Sequence, residues 1–356
     1  MQLDGLTELA VAGLATGIVA GLGVGLGSGC RDSALSGTSL KELKGSIFFV
    51  SEASGAAKTF VIGPDGSRSR RLLPGDEPDF PYGVSADRST LALVRGKDGE
   101  HAVLLAGIDG SSPRVVADGA GIDGSPSFSP DGRWLLFESA RDSFRELYKL
   151  PLAGGDPVRL TNNPQGNFDG AWSPDGSRIA FASSRHGQLD LFVMGADGSA
   201  QTRLTSHPGD SIKPAWSPDG QWVAFVSGRD GNDDVYVVRP DGRELTNLTG
   251  EQQVEERFAW RPDGKAIVYV TRARDGKRKL RLVELATRAD RALSGERDDD
   301  FDPSWSPDGA HLAFASQERR GHPDVWIMRA DGSRRTRVTR DPAGAWLPRW
   351  VSAEVR

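Results

Sequence analysis

The stretch Pro214-Ala215-Trp216-Ser217-Pro218-Asp219-Gly220 decides the fold, because its second half recurs along the chain at a fixed spacing. Ser-Pro-Asp-Gly begins at residues 129, 173, 217 and 306, Arg-Pro-Asp-Gly begins at residue 261, and a degenerate copy begins at Ser85. Successive copies are 44 residues apart, except for one step of 45. A period of this length is typical of solenoids and β-propellers, and the residues between the turns distinguish the two.

Each unit carries four short β-strand signals. In one unit an apolar segment ends at Trp216, and the Pro-Asp-Gly turn then reverses the chain. Val223-Ala224-Phe225 and Asp234-Val235-Tyr236-Val237 follow as β-prone segments, and a second turn leads to a short fourth segment. Four strands in about 40 residues are typical of one propeller blade.

The number of second strands gives the number of blades. This signal begins at seven places, Ile47, Leu91, Leu135, Ile179, Val223, Ile267 and Leu312. The chain ends with an unpaired first-strand signal, Leu347-Pro348-Arg349-Trp350, which can complete the first blade and leave no open sheet edge. The sequence therefore predicts an all-β fold over residues 46–356: a seven-bladed β-propeller of four-stranded blades, with the first blade closed by the C-terminal strand.

The first thirty residues have a different character. Residues 9–28 carry no charge, and a segment of small residues leads to Cys30, the only cysteine in 356 residues. This arrangement resembles a bacterial lipoprotein signal peptide, whose cleavage would leave Cys30 as a lipidated first residue. The alternative is an uncleaved membrane anchor, since glycines recur at every fourth residue from Gly13 to Gly29. Under either interpretation residues 31–45 form a tether, and the propeller is membrane-anchored in the bacterial cell envelope, facing the periplasm or the surface.

Composition and motifs exclude several classes of protein. The net charge of −5 argues against a nucleic-acid-binding protein, and a single cysteine excludes an intrachain disulfide or a cysteine-cluster zinc site. The chain has no Gly-x-Ser-x-Gly elbow and no Gly-x-x-x-x-Gly-Lys phosphate loop, and its five histidines are scattered. We therefore predict no catalytic residues, no metal site and no cofactor. Calcium binding by the acidic loops 230–234 and 296–302 is a secondary alternative to simple solvation.

Residues 214–237 resemble the repeat of the TolB-like β-propeller superfamily, also described as the WD40-like PD repeat. That repeat reads Pro-x-Trp-Ser-Pro-Asp-Gly, then Ile-Ala-Phe, Ser-x-Arg and Asp-Ile-Tyr-Val, and the resemblance extends over residues 46–352. TolB itself is expected to have six blades preceded by an α/β domain. The resemblance is therefore to the superfamily and not to TolB, and it does not transfer the partners of TolB.

A candidate binding site follows from the path of a blade. Loops that join second to third strands, and fourth strands to the next blade, lie on one face, termed the top, and vary in sequence as binding loops do. Three residues before the Trp position, four of the seven blades carry a charge: Asp169, Lys213, Arg257 and Asp302. The preceding position is mostly large and apolar, with Trp346 and, as an exception, Glu256. These six residues could hold a peptide end or a sugar at the channel mouth, or the charges could pair between neighbouring blades.

Two sets of polar residues recur from blade to blade. Arginines follow the second strand at Arg141, Arg185 and Arg229, and acidic residues begin the third strand at Glu146, Asp190, Asp234 and Asp324. Recurrence at equivalent positions favours a structural role, because a functional site normally breaks the symmetry of a repeat.

The sequence favours a non-catalytic binding scaffold, whose top face takes an envelope protein, a peptide or another envelope component such as a glycan. The alternative is a lyase or hydrolase that acts on polysaccharide or peptide in the central funnel, since a metal-dependent polysaccharide lyase also resembles this repeat superfamily. A third interpretation, a structural spacer, would require large apolar patches on the outer blade surfaces. The first two differ in whether acidic residues or histidines of different blades converge on one point.

Overall fold

Seven four-stranded antiparallel sheets form the blades of a propeller. The computed structural model describes residues 40–97, 99–118, 121–250, 254–317 and 321–355, with the backbone alone at residues 41 and 254–256. Each sheet is ordered from its first to its fourth strand. The all-β, seven-bladed fold predicted from the sequence is confirmed.

The blades are numbered in the chain order of their second strands. From first to fourth strand they are blade 1, Ala345–Val351, Ser46–Ser51, Lys58–Ile62 and Arg70–Arg71; blade 2, Asp79–Val84, Thr90–Lys97, Glu100–Gly107 and Arg114–Ala117; blade 3, Asp123–Phe128, Trp134–Ser139, Glu146–Pro151 and Val158–Arg159; blade 4, Asn167–Trp172, Arg178–Ser183, Asp190–Gly195 and Thr202–Arg203; blade 5, Ser211–Trp216, Val223–Ser227, Asp234–Val238 and Thr246–Asn247; blade 6, Val254–Trp260, Ala266–Arg272, Arg278–Glu284 and Asp290–Ala292; and blade 7, Asp300–Trp305, His311–Gln317, Pro323–Arg329 and Thr336–Arg337. A short 3-10 helix, Leu40–Glu42, precedes them. Among the described residues, no helix is long and apolar enough to cross a membrane.

The Ser-Pro-Asp-Gly turn recurs because it satisfies its own polar groups. In blade 5 the Ser217 hydroxyl donates to Asp219 Oδ1 at 2.6 Å, and the Gln221 N–H donates to the same oxygen at 3.0 Å. The Trp222 N–H donates to Ser217 Oγ at 2.9 Å. Gly220 has a φ of 69°, a left-handed backbone that glycine adopts without strain. Each turn therefore closes a tight hairpin at the bottom of its blade.

The hydrophobic core lies between neighbouring blades. Phe225 and Trp216 of blade 5 pack against Ala182 and Leu191 of blade 4. The Trp216 indole N–H also donates to Ala171 O of blade 4 at 3.1 Å. Equivalent bonds of 3.1–3.3 Å join Trp172, Trp260 and Trp305 to the preceding blade. The repeated Trp therefore contributes both apolar burial and one hydrogen bond to each of these seams.

Blade 1 is built from both ends of the described chain. Its first strand, Ala345–Val351, pairs with Ser46–Ser51 in a register that places Ile47 opposite Trp350 and Phe48 opposite Arg349. The first strands of successive blades contact one another in a closed cycle, so they enclose a central channel. Closure by the C-terminal strand, as predicted, is confirmed.

The segment just before blade 1 contacts the propeller. Leu43 packs against the core shared by blades 1 and 7, and Lys44 O accepts a hydrogen bond from the Trp350 indole at 3.1 Å. Residues 1–39, with Cys30 among them, lie outside the described residues. The signal peptide or anchor (1–30) and the tether (31–45) stay predictions.

Candidate functional site

The innermost strands carry a β-bulge near the position three residues before the Trp. The register shifts there in all seven blades. In blades 1, 3, 4, 5 and 7 the residue at that position has a φ of 49° to 56°: Ser125, Asp169, Lys213, Asp302 and Leu347. A left-handed backbone costs an L residue about 1–2 kcal/mol, and a bulge re-aims the side chain that it carries. Three of the four charges predicted for the channel mouth therefore stand on this strained backbone.

The four predicted charges form two ion pairs between neighbouring blades. Lys213 Nζ lies 3.1 Å from Asp169 Oδ1, and the Lys213 backbone N–H donates to Asp169 Oδ2 at 3.2 Å. Arg257 Nε lies 3.1 Å from Asp302 Oδ1, and Asp302 Oδ2 also accepts the Leu347 N–H at 3.2 Å. The charges therefore pair between neighbouring blades, which is one of the two alternatives that the sequence left open. The side chains of Lys213 and Arg257 nevertheless keep 37% and 39% of their surface exposed.

Trp346 belongs to the apolar layer that precedes these charges along the innermost strands. Its side chain is buried, as are those of Phe80 and Phe301 at the equivalent positions. Its indole N–H has no acceptor among the described residues. The Glu256 side chain lies outside the described residues, so its predicted role stays a prediction.

Glu138 is a buried charged residue, beside the innermost strand of blade 4, that the sequence reasoning missed. It lies buried on the second strand of blade 3, and the equivalent positions of the other blades hold only Ala or Val: Val50, Val94, Ala182, Val226, Val270 and Ala315. Its Oε1 accepts the Asp169 backbone N–H at 2.8 Å, and its Oε2 lies 3.8 Å from Arg145 Nη1. Burial raises the pKa of the Glu138 carboxyl, and the negative charge of Asp169 raises it further. Carboxyl groups of blades 3 and 4 therefore converge beside the Asp169–Lys213 pair.

Gly124 leaves an open space beside Glu138. It lies opposite Glu138 in the sheet of blade 3, and no atom lies within 4 Å of the place where a Cβ would stand. His101 of blade 2 forms a backbone bridge with Ile122, two residues before Gly124, and its buried ring nitrogens have no hydrogen-bond partner among the described residues. Burial lowers the pKa of His101, and the charge of Arg145 lowers it further. Arg145 therefore acts electrostatically on both the His101 imidazole and the Glu138 carboxyl group.

Tyr82 lies in the central channel. Although 37% of its surface is exposed, the charges of Glu138, Lys213, Arg257 and Arg349 all act on its hydroxyl group. These four residues belong to blades 3, 5, 6 and 1. Only a side chain in the channel can approach all four blades, so the exposed surface of Tyr82 faces the channel. Burial among these blades raises the pKa of the Tyr82 hydroxyl, and the charge of Glu138 raises it further.

Arg349, like Glu138, is a charged residue that breaks the repeat and that the sequence reasoning missed. At the equivalent position the other six innermost strands carry only Gly, Ala or Ser: Gly83, Ser127, Ala171, Ala215, Ala259 and Ser304. Burial lowers the pKa of the Arg349 guanidinium, and the nearby charge of Arg257 lowers it further. Within the part of the chain that the structure describes, the Arg349 guanidinium makes no hydrogen bond and no ion pair, although the charge of Asp302 attracts it.

The recurring polar residues stabilise individual blades. Each of Arg141, Arg185 and Arg229 donates its Nε to the Ser two residues earlier, at 2.7–3.1 Å, and stacks on an aromatic ring. The acidic residues that begin the third strands each accept a hydrogen bond from the Thr that follows the fourth strand: Glu146, Asp190, Asp234 and Asp324. The structural role predicted for both sets is confirmed.

The acidic loop 296–302 is paired with arginine side chains. Asp299 Oδ1 lies 2.9 Å from Arg278 Nε, and Asp300 Oδ2 lies 2.5 Å from Arg335 Nη1. Across the described residues, no three His, Cys, Asp or Glu side chains are grouped so that they could hold a metal ion.

The repeated blades and turns match one family model. The TolB β-propeller domain, PD40, matches residues 160–300 and 258–354. The chain belongs to the TolB β-propeller domain family. No curated protein sequence matches it.

Several solved structures are similar in fold to this chain. TolB from Acinetobacter baumannii is 19% identical, covers 83% of this chain and 78% of its own, and has a TM-score of 0.56. An oligogalacturonate lyase in complex with manganese is 17% identical, covers 80% of this chain and 86% of its own, and has a TM-score of 0.66. A puromycin hydrolase mutant complexed with PGG is 18% identical with a TM-score of 0.68; the match covers 83% of this chain but only 52% of the hydrolase. At these identities the likeness concerns the fold alone.

Proposed function

We propose that the protein is a binding module without chemistry of its own, whose ligand enters the channel from the top. The observation that carries this proposal is the gathering of repeat-breaking polar residues, Tyr82, Glu138 and Arg349, around one channel. Charged groups removed from water cost free energy unless they are paired, so a purely structural channel gains nothing from them. Residues that break the symmetry of a repeat at one place favour a ligand site there.

A protein or peptide from the cell envelope fits this site best, and a glycan is the alternative. The Asp169–Lys213 and Arg257–Asp302 pairs, here termed the charged ring, present both signs at the channel mouth. Lys213 and Arg257 keep enough exposed surface to contact a ligand. A ring of mixed charge beside apolar residues suits a chain that carries both peptide groups and side chains.

Affinity capture from native envelope extract tests this proposal. The bait is the full-length protein in detergent, and its variant carries Lys213→Glu and Arg257→Glu, which reverse both cations of the charged ring. We expect the wild type to retain a discrete protein and the variant to retain at least about tenfold less, since like charges would then face each other. Equal retention by the two baits would exclude the charged ring as the site.

An exchanged pair provides the matched control. Asp169→Lys combined with Lys213→Asp keeps an ion pair between blades 4 and 5 but reverses its direction. If the pair contacts the ligand, the exchanged variant keeps the thermal midpoint of the wild type and loses capture. If the pair only stabilises the contact between the blades, the variant keeps both the thermal midpoint and the capture of the wild type.

One observation favours the enzymatic alternative. Glu138 and Asp169, from adjacent blades, form a carboxyl pair in which one pKa is raised, an arrangement that general acid–base catalysis uses. The likeness to a lyase and a hydrolase adds support at the level of the fold alone. If captured glycan or peptide is turned over, Glu138→Gln should lower the rate at least about a hundredfold. No turnover of the captured ligand would leave the binding proposal.

The spacer interpretation has less support. Outside the channel, the large apolar side chains that are exposed among the described residues are Val115, Phe144, Val158 and Leu245. They are divided among blades 2, 3 and 5, whereas a spacer needs extended apolar patches on its outer surfaces.

Membrane attachment through Cys30 belongs to the same proposal. If acylation anchors the protein, Cys30→Ser should release it from membranes into the soluble fraction. Fractionation followed by immunoblotting measures this directly. A full-length variant that stays in the membrane would instead support the uncleaved anchor.

A further inference from the structure

We propose that the channel holds the free C-terminal carboxylate of a peptide, bound by Arg349 and Tyr82, which we term the carboxylate site. This inference rests on the proposed function, because it identifies which part of the ligand the channel recognises. The two residues lie on the innermost strands of blades 1 and 2, one and two residues before the Trp position. They therefore stand deeper in the channel than the charged ring, as seen from the top.

Arg349 differs from Lys213 and Arg257 in making no ion pair among the described residues. Lys213 pairs with Asp169, and Arg257 pairs with Asp302. The Arg349 guanidinium is repelled by Arg257 and attracted by Asp302, but Asp302 Oδ1 already lies 3.1 Å from Arg257 Nε. A partly desolvated guanidinium that is repelled by a second cation is costly. A bound anion would relieve both the repulsion and the missing hydrogen bonds.

The donors at the site match a carboxylate. A guanidinium presents its N–H groups as a planar fork that fits the two oxygens of a carboxylate. The Tyr82 hydroxyl makes no hydrogen bond among the described residues, and Tyr82 and Arg349 are near enough to act on each other electrostatically. The hydroxyl can therefore donate to a carboxylate held by Arg349.

The surroundings of the site favour the end of a chain over its middle. Seven innermost strands enclose the channel, so a ligand that reaches Arg349 from the top must pass the charged ring. The end of a peptide can pass the charged ring as one extended strand. An internal segment could reach Arg349 only if the peptide entered the channel, reversed and left it again on the same side.

Two matched peptide pools test the inference. Both contain random-sequence hexapeptides, one with a free C-terminal carboxylate and the other with a C-terminal amide. The immobilised full-length protein in detergent is exposed to each pool, and mass spectrometry measures the retained peptide. We expect at least about tenfold more retention from the carboxylate pool, which corresponds to about 1.4 kcal/mol. A third probe, pentagalacturonate against its methyl ester, presents the same carboxylate chemistry on a sugar.

Variants connect the preference to the two residues. Arg349→Gln should abolish the difference between the pools, Arg349→Lys should retain part of it, and Tyr82→Phe should reduce it about threefold. Arg133→Gln is the matched control, since it removes an arginine whose side chain is 77% exposed in a bottom turn of blade 3. Thermal unfolding of each variant verifies that the propeller is intact, and Tyr82→Phe keeps the test valid if Arg349→Gln does not fold.

Three outcomes would overturn the inference. Equal retention of the two pools, including retention of neither, would show that the carboxylate is not recognised. A preference that survives in a folded Arg349→Gln variant would place recognition elsewhere. Retention of pentagalacturonate without the peptide acids would assign the site to an acidic sugar. The proposed function is judged separately, by capture of envelope material with the reversed charged ring, so the two can fail independently.

Discussion

The buried carboxyl group of Glu138 makes stability depend on pH at the scale of a single residue. Burial raises its pKa above the ordinary 4.5, and Asp169 raises it further. Such a group stabilises the fold fully below its unfolded pKa, and this contribution is lost as the pH rises through its folded pKa. We therefore expect the neutral variant Glu138→Gln to become steadily more stable relative to the wild type from about pH 5 to about pH 8. Urea unfolding at several pH values measures this difference, which changes by at most about 1.4 kcal/mol per pH unit.

The control for this prediction is Glu52→Gln, at an exposed position of blade 1. Its stability difference from the wild type should stay nearly constant over the same range. A constant difference for Glu138→Gln as well would show that the Glu138 carboxyl ionises in the fold as readily as in the unfolded chain.

At the scale of the strand and the blade, the repeated Trp joins each unit to the one before it. Trp216→Phe removes the 3.1 Å hydrogen bond to Ala171 O and leaves a smaller ring in a buried place. The lost bond and the cavity together should cost about 2–3 kcal/mol. Trp222→Phe is the matched control, because Trp222 is only partly buried and stacks under Arg239. Chemical denaturation of both variants measures the costs, and equal costs would contradict a stabilising interblade bond.

For the whole molecule, closure of the ring depends on one strand. Deleting residues 345–356 removes the partner of Ser46–Ser51 and opens both a sheet edge and the channel wall. We expect the truncated protein to associate or to unfold at a lower temperature, as light scattering and calorimetry would show. Adding a synthetic peptide of residues 345–356 should restore the monomer and its midpoint, whereas a scrambled peptide should not. A truncated protein that is as stable as the wild type would contradict closure by this strand.

The architecture could be predicted because each turn and each blade is specified locally. Ser217, Pro218, Asp219 and Gly220 close their turn with their own groups, and the 44-residue period then dictates the rest. The candidate site could be predicted only in part. Asp169 and Lys213 occupy the position three residues before the repeated Trp, so their charges can be found by aligning the repeats. The bulge that directs the two side chains toward each other gives no signal in the sequence.

Glu138 and Arg349 were missed for a different reason. Each is unusual only beside its equivalents in the other six blades, which are Ala or Val in one case and Gly, Ala or Ser in the other. Both positions lie within strands, where a single charged residue does not by itself indicate a functional site. A comparison of every equivalent position of the repeat, including strand interiors, would have found both residues. That the Arg349 guanidinium makes no ion pair among the described residues depends on contacts between blades and cannot be read from the sequence.

Blade 1 combines strands from both ends of the described chain, so it is the last blade that can form during protein synthesis. Blades 2 to 7 are each contiguous in the chain, so each can pair its strands as soon as it leaves the ribosome. Blade 1 cannot, because Ser46–Ser51 is made early and its partner Ala345–Val351 emerges only after all the other blades. Every newly made molecule therefore exists as an open propeller until the C-terminal strand pairs and closes it. During that interval Phe48 and Phe49 lack the neighbour that later buries them, so this seam is where a chaperone would be needed most.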